Sequence, residues 1–147
     1  MKCVAVDANV LARFLTGDPP DMAQQVLNLF AVVERGELTL MIDDIVLAEV
    51  VWVLTSFYKH PISEVARTLQ QLLLHEAIRA DDKALLVEAL ILCAEHNVDF
   101  ADALLAARMR RRGIAEVISF DHHFDRLPGI LRLHPDKAAH LGSETMA

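Results

Sequence analysis

Four acidic residues stand where apolar runs end or helices should begin: Asp7, Glu49, Asp102 and Asp121. Asp7 follows Val4-Ala5-Val6. Glu49 interrupts Ile45-Val46-Leu47-Ala48 and Val50-Val51-Trp52-Val53-Leu54. Asp102 lies in Phe100-Ala101-Asp102-Ala103-Leu104-Leu105, and Asp121 follows Val117-Ile118-Ser119-Phe120. Carboxylates gathered at the edge of a core repel one another unless a positive charge joins them. A divalent cation with oxygen ligands is the usual solution. The chemistry such a set supports is metal-assisted hydrolysis.

Each acid also has a plainer role. Asp7 can cap the helix that follows. Asn9, two residues on, can orient water or ligand or bond only to nearby backbone. Glu49 has Ile45, Val46, Trp52 and Val53 at its helical i±3 and i±4 positions, so no polar stripe is apparent. Burying it unpaired would cost several kcal/mol (roughly), which argues for functional placement. Asp99 and Asp102 are spaced like a capping box. Asp102 is expected as the ligand and Asp99 as a cap or supporting partner. Ser119 can bond a ligand or water, or be a strand-end hydroxyl. His122-His123 suggests zinc, but adjacent side chains point apart and no further His or Cys completes a tetrahedral set nearby. The pair reads as solvent-facing helix starters, with Asp125 in the same exposed turn. Asp43 and Asp44 read as caps.

These residues must be held by a scaffold, and 147 residues are enough for one domain with a core. Apolar residues make up 54% of the chain, too many for disorder and enough to suggest a subunit interface. No apolar run is long enough to span a bilayer, and Asp7 breaks the only early apolar stretch that could serve as a secretion signal. Cys3 and Cys93 lack metal-ligand spacing and read as reduced core thiols of a cytoplasmic protein. The formal charge is −7, which argues against broad phosphate binding, although four of the 21 acids are site candidates. Arg108, Arg110, Arg111 and Arg112 crowd one helix end. They either answer the helix dipole or form an RNA-contacting patch.

The pattern predicts strands over Lys2 to Val6, Thr39 to Ile42, Ala77 to Ala80, Glu116 to Ser119 and Ile130 to Leu133. Helices are predicted over Asn9 to Thr16, Met22 to Arg35, Asp44 to about Tyr58, Ser63 to Leu74, Lys83 to His96 and Asp99 to Arg112. A single helical turn is predicted at His122 to Leu127. The first strand reads as buried. Asp21, Ser63 and Asp82 read as further helix caps. This alternation predicts an α/β domain, a five-stranded, mainly parallel sheet with helices on both faces. Its site should lie at the carboxyl ends of the strands. Residues 1–134 form the expected domain, and residues 135–147 a flexible tail.

Asp7-Ala8-Asn9-Val10-Leu11 resembles the opening motif of PIN-domain nucleases, and Leu47-Ala48-Glu49-Val50 the second. Asp102-Ala103-Leu104-Leu105-Ala106-Ala107 is similar to the third. Ser119-Phe120-Asp121-His122-His123-Phe124 is similar to the last, with a small polar residue two before the acid. The size and the Leu47 to Leu54 segment look most like VapC toxins of toxin–antitoxin pairs. The resemblance implies a Mg²⁺- or Mn²⁺-dependent endoribonuclease with Asp7, Glu49, Asp102 and Asp121 as catalytic metal ligands. It further implies a homodimer, a cognate antitoxin and an RNA target such as tRNA or rRNA. Two other readings compete. A Mg²⁺-binding receiver domain needs an acidic pair after the first strand, and only Asp7 stands there. A catalytically silent module that binds RNA or protein would not need the intact acidic set.

Overall fold

A computed structural model describes residues 2–146 of the chain, with side-chain surroundings through residue 142. The elements in order are β1 (Lys2–Ala5), α1 (Ala8–Thr16), α2 (Pro20–Glu34), β2 (Leu38–Met41) and α3 (Asp44–Trp52). A π-helical turn (Val53–Phe57) extends α3. Then come α4 (Ile62–Leu74), β3 (Ile78–Arg79), α5 (Lys83–His96), α6 (Phe100–Arg112), β4 (Glu116–Ile118), a 3-10 turn (His122–Arg126), β5 (Leu131–Leu133) and α7 (Pro135–Met146).

All described strands pair in parallel, as an alternating α/β chain requires. They do not form one sheet of five. β1, β2 and β3 form one sheet in that order, with Lys2 opposite Leu38 and Leu40 opposite Ile78. β4 and β5 form a separate pair, with Glu116 opposite Leu131. The division leaves β1 as an edge, so its four residues are exposed rather than buried as the apolar run suggests. Cys3 is therefore at the surface and only Cys93 is a core thiol; neither forms a disulfide.

Helix boundaries follow local chemistry. Asp43 Oδ1 accepts from the Ile45 amide at 2.9 Å and Asp82 Oδ1 from the Leu85 amide at 3.0 Å. Each satisfies an amide that the first helical turn leaves without a partner. Asp21 and Ser63 are not the caps expected of them. Pro20 opens α2, where its fixed φ already suits the first helical position, and Pro19 and Pro61 take the cap positions of α2 and α4. Gly17 and Gly113 end α1 and α6 with φ of +70° and +69°, a conformation that costs a side-chain-bearing residue about 1–2 kcal/mol. The segment expected as a tail winds into α7.

The core lies mainly among helices. α4 packs on α5, and α5 on α6. Leu69, Leu73, Leu86, Leu90, Cys93 and Phe100 are essentially inaccessible between them. Ala103, Ala106 and Ala107 of α6 are fully buried; their small side chains let the neighbouring backbone approach closely. α2 packs on β2 and α4 on β3. No helix among the described residues is long and apolar enough to cross a membrane.

Candidate metal centre

The third and fourth candidate acids meet. Asp102 occupies the first turn of α6, and Asp121 sits at the cap position of the 3-10 turn. One ligand atom each from Asp102, Asp121 and His123 lies within 4.8 Å of the other two. His123 Nδ1 is 3.1 Å from an Asp121 carboxylate oxygen. His123 stands at the start of the 3-10 turn and is exposed, as the sequence suggests, and its ring also reaches the cluster.

Local hydrogen bonds explain the placement. Asp121 Oδ1 accepts from the His123 amide at 2.8 Å, which folds the chain back over the carboxylate. The Asp121 amide donates to Ser119 Oγ at 2.8 Å. Ser119 therefore shapes the loop that presents Asp121. Arg132 of β5 braces the same loop. Its Nη1 donates to the Ser119 carbonyl at 3.2 Å, its Nε to Asp125 Oδ1 at 3.1 Å, and its Nη2 lies 2.9 Å from His122 Nδ1. The guanidinium holds the Asp125 carboxyl below its ordinary pKa, and His122 adds to the effect. Sequence reading missed Arg132. Its only signal was an arginine in a strand whose neighbours Leu131 and Leu133 are apolar.

The electrostatics of Asp102 suit a cation. Burial pushes its carboxyl above the ordinary value of 3.8, and the nearby charges of Asp99 and Asp121 push it further; His123 opposes them. Asp99 stands at the cap position of α6, but its side chain makes no capping hydrogen bond. Its charge remains directed at the cluster electrostatically, as a supporting partner's would be. Beneath lies Cys93, whose thiol is pushed up to about 12 by burial first, then by Asp99 and, more weakly, Asp102. Two carboxylates and an imidazole form a donor set that fits a divalent first-row ion, with Asp102 and Asp121 as oxygen ligands.

The first two acids are not in the group whose ligand atoms all lie within 4.8 Å of one another. Asp7 caps α1, with Oδ1 accepting from the Val10 amide at 3.1 Å. Asn9 is exposed on α1 and borders a groove with Trp52, Phe57 and Tyr58. Glu49 is exposed on α3. The expected cost of burying it does not arise, because α3 packs through Leu47, Val50 and Val51 and leaves a solvent stripe. That stripe is apolar on either side of Glu49: Ile45 is 73% and Trp52 65% exposed.

The arginine row is largely engaged within the fold. Arg108 pairs with Asp44, and Arg111 with Asp82 at 2.5 Å. Arg110 donates to the Pro128 carbonyl at 2.6 Å and approaches Glu88 at 3.9 Å. Asp44 and Asp82 thus anchor α6 to the starts of α3 and α5; Asp82 also caps its helix as expected, whereas the cap of α3 is Asp43 and pairing is what Asp44 does.

The PIN domain family model matches residues 4–130. The chain is also 25% identical over 122 residues to the VapC ribonuclease of Aquifex aeolicus (strain VF5), a match covering 83% of this chain and 90% of that protein. With its motifs in order, parallel strands alternating with helices and a family match from the first strand to the edge of the last, the chain belongs to the PIN domain family.

Proposed function

We propose that this chain is a metal-dependent endoribonuclease and the toxin of a toxin–antitoxin pair. The observation that carries the reading is the meeting of Asp102, Asp121 and His123, with Asp102 held toward its protonated form by burial and neighbouring acids. Such a cluster is stabilised by a cation. The similarity to a VapC ribonuclease supports RNA as the substrate, with tRNA or rRNA as the proposed targets.

Asp102 and Asp121 would hold Mg²⁺ or Mn²⁺. When bound, such an ion lowers the pKa of water and offsets charge on the scissile phosphate. Ser119 keeps Asp121 in place, and Asp99 adds negative potential that draws a cation in. Asp7 and Glu49 complete the proposed acidic set on the order of the motifs rather than on contact with the cluster. Both are exposed. Arg112, beyond the paired arginines of α6, is the proposed RNA contact; Arg108, Arg110 and Arg111 would have to exchange partners to join it.

The exposed apolar residues Ile45, Trp52 and Phe57, together with the groove between α3 and α6 lined by Ala48, Phe100 and Leu104, support a homodimer and an antitoxin partner. The cytoplasm is the proposed location of all three.

The test is incubation of total RNA with purified protein in Mg²⁺, Mn²⁺ or EDTA, alongside Asp102→Asn. Discrete metal-dependent fragments, absent from the variant, are expected. Equal cleavage in EDTA, or wild-type cleavage by Asp102→Asn, would show the proposal to be wrong.

A further inference from the structure

The two adjacent histidines diverge, and each finds a different partner. His122 turns to Arg132 and Asp125, with its Nδ1 2.9 Å from the guanidinium and 3.3 Å from the carboxylate. His123 turns the other way, to Asp121 and Asp102. The brace from Arg132 through His122, Asp125 and the Ser119 carbonyl fixes both ends of the loop carrying Asp121. With His122 engaged, His123 is the imidazole left facing the two acids.

The spacing suits coordination. Ligand atoms sit about 2.1 Å from a small divalent ion, so two neighbours at right angles lie about 3.0 Å apart. The separation between His123 Nδ1 and the Asp121 oxygen is 3.1 Å. Asp102 lies on the third corner of the triangle, within 4.8 Å of both. The side chains of Asp121 and His123 are 43% and 52% exposed, which leaves the outer side of the triangle open to water or a phosphate oxygen.

We propose that His123 is a nitrogen ligand of the ion held by Asp102 and Asp121, and that it gives the site a preference for Mn²⁺ and related transition ions over Mg²⁺. The proposal rests on the reading of this cluster as a metal centre. Carboxylate and water oxygens suit Mg²⁺ and Mn²⁺ alike, whereas an imidazole nitrogen favours transition ions; geometry and ligand type then decide which ion is held. Mg²⁺ dehydrates reluctantly and keeps several waters, so it gains little from the third side chain.

The test uses the full chain loaded with Mn²⁺ and read by pulsed electron paramagnetic resonance, with Mn²⁺ and Mg²⁺ affinities measured by calorimetry. His123→Ala, His123→Gln and His122→Ala are compared with wild type. Nitrogen coupling to Mn²⁺ is expected in wild type and His122→Ala, and should vanish in both His123 variants. Mn²⁺ affinity should fall by at least about tenfold, the lower bound for losing even a supporting group, while Mg²⁺ affinity changes little. Mn²⁺ bound by wild type without nitrogen coupling, or an unchanged Mn²⁺-to-Mg²⁺ ratio in the His123 variants, overturns the assignment of His123 alone. Absence of Mn²⁺ binding by wild type, or wild-type binding by Asp102→Asn, overturns the metal-centre reading and this assignment with it.

Discussion

Replacing Asp102 with Asn should reverse the order of stability between the ion-free and ion-loaded protein. The carboxylates of Asp102 and Asp121 lie within 4.8 Å. At that separation two unit charges repel by about 0.9 kcal/mol in water's dielectric and about 3.5 kcal/mol at an effective constant of 20. Asp102 is only half-buried and Asp121 faces solvent, so the relevant figure is about 1–2 kcal/mol. Against it stands the favourable position of Asp102 at the start of α6, worth about 0.3–1 kcal/mol. Removing the charge therefore stabilises the ion-free protein by about 1 kcal/mol, or about 2–4 °C in Tm. With Mn²⁺ at one hundred times its Kd, wild type instead gains about 2.7 kcal/mol, or about 5–11 °C, which the variant forfeits. The folded-state pKa of Asp102 is raised, so the folded form binds its proton more tightly than the unfolded chain. The variant's advantage is therefore absent below the ordinary value of 3.8, grows as pH rises and is complete above the folded-state value. Thermal denaturation in EDTA and in Mn²⁺, at neutral pH and near pH 3 (roughly), reads all of this. A variant less stable than wild type in EDTA, or equal Mn²⁺ shifts in both proteins, would refute the reasoning.

Three further outcomes follow from the packing and the caps. Leu69 is fully buried between helices, so Leu69→Ala should cost about 3–5 kcal/mol in urea denaturation. Gly113→Ala meets no atom within 4 Å of its new Cβ, but must hold φ at +69°; a loss of about 1–2 kcal/mol, reflecting conformation alone, is expected by the same measurement. Under native conditions a thiol reagent should modify one cysteine, the exposed Cys3, because burial pushes Cys93 up to about 12; denaturant should release the second.

Much of the scaffold was legible because its signals are local. Asp43 and Asp82 cap where a short acceptor precedes an apolar helix, and Gly17 and Gly113 close helices through positive φ. The pairing of strands was not local. Val4 and Ile118 belong to apolar runs that read as buried, yet they lie on edges of two different sheets and are exposed. Glu49 misled for a related reason: apolar neighbours imply burial only if the helix is covered all round, and α3 is not. Asp102 and Asp121 were found as acids in apolar settings. The approach of His123 to Asp121 was not legible, although the divergence of adjacent side chains was foreseen, because its direction depends on Arg132, ten residues beyond His122. The order of motifs also carried the family where no single motif would have done so.

The ion pairs that tie α6 to α3 and α5 bear on how this acidic chain would meet a polyanion. Of the four guanidiniums at that helix end, only Arg112 lacks an acidic or carbonyl partner among the described residues. Each phosphate neutralised on a single strand releases condensed counterions and contributes about −0.7 to the slope of log K against log salt concentration. Four free arginines would give a slope of about −2.8, whereas Arg112 alone gives about −0.7. An RNA crossing this end of α6 would therefore gain little from counterion release. Its hold would weaken only mildly between dilute buffer and the ionic strength of a cell, leaving shape and the proposed metal centre, rather than bulk charge, to determine what is retained.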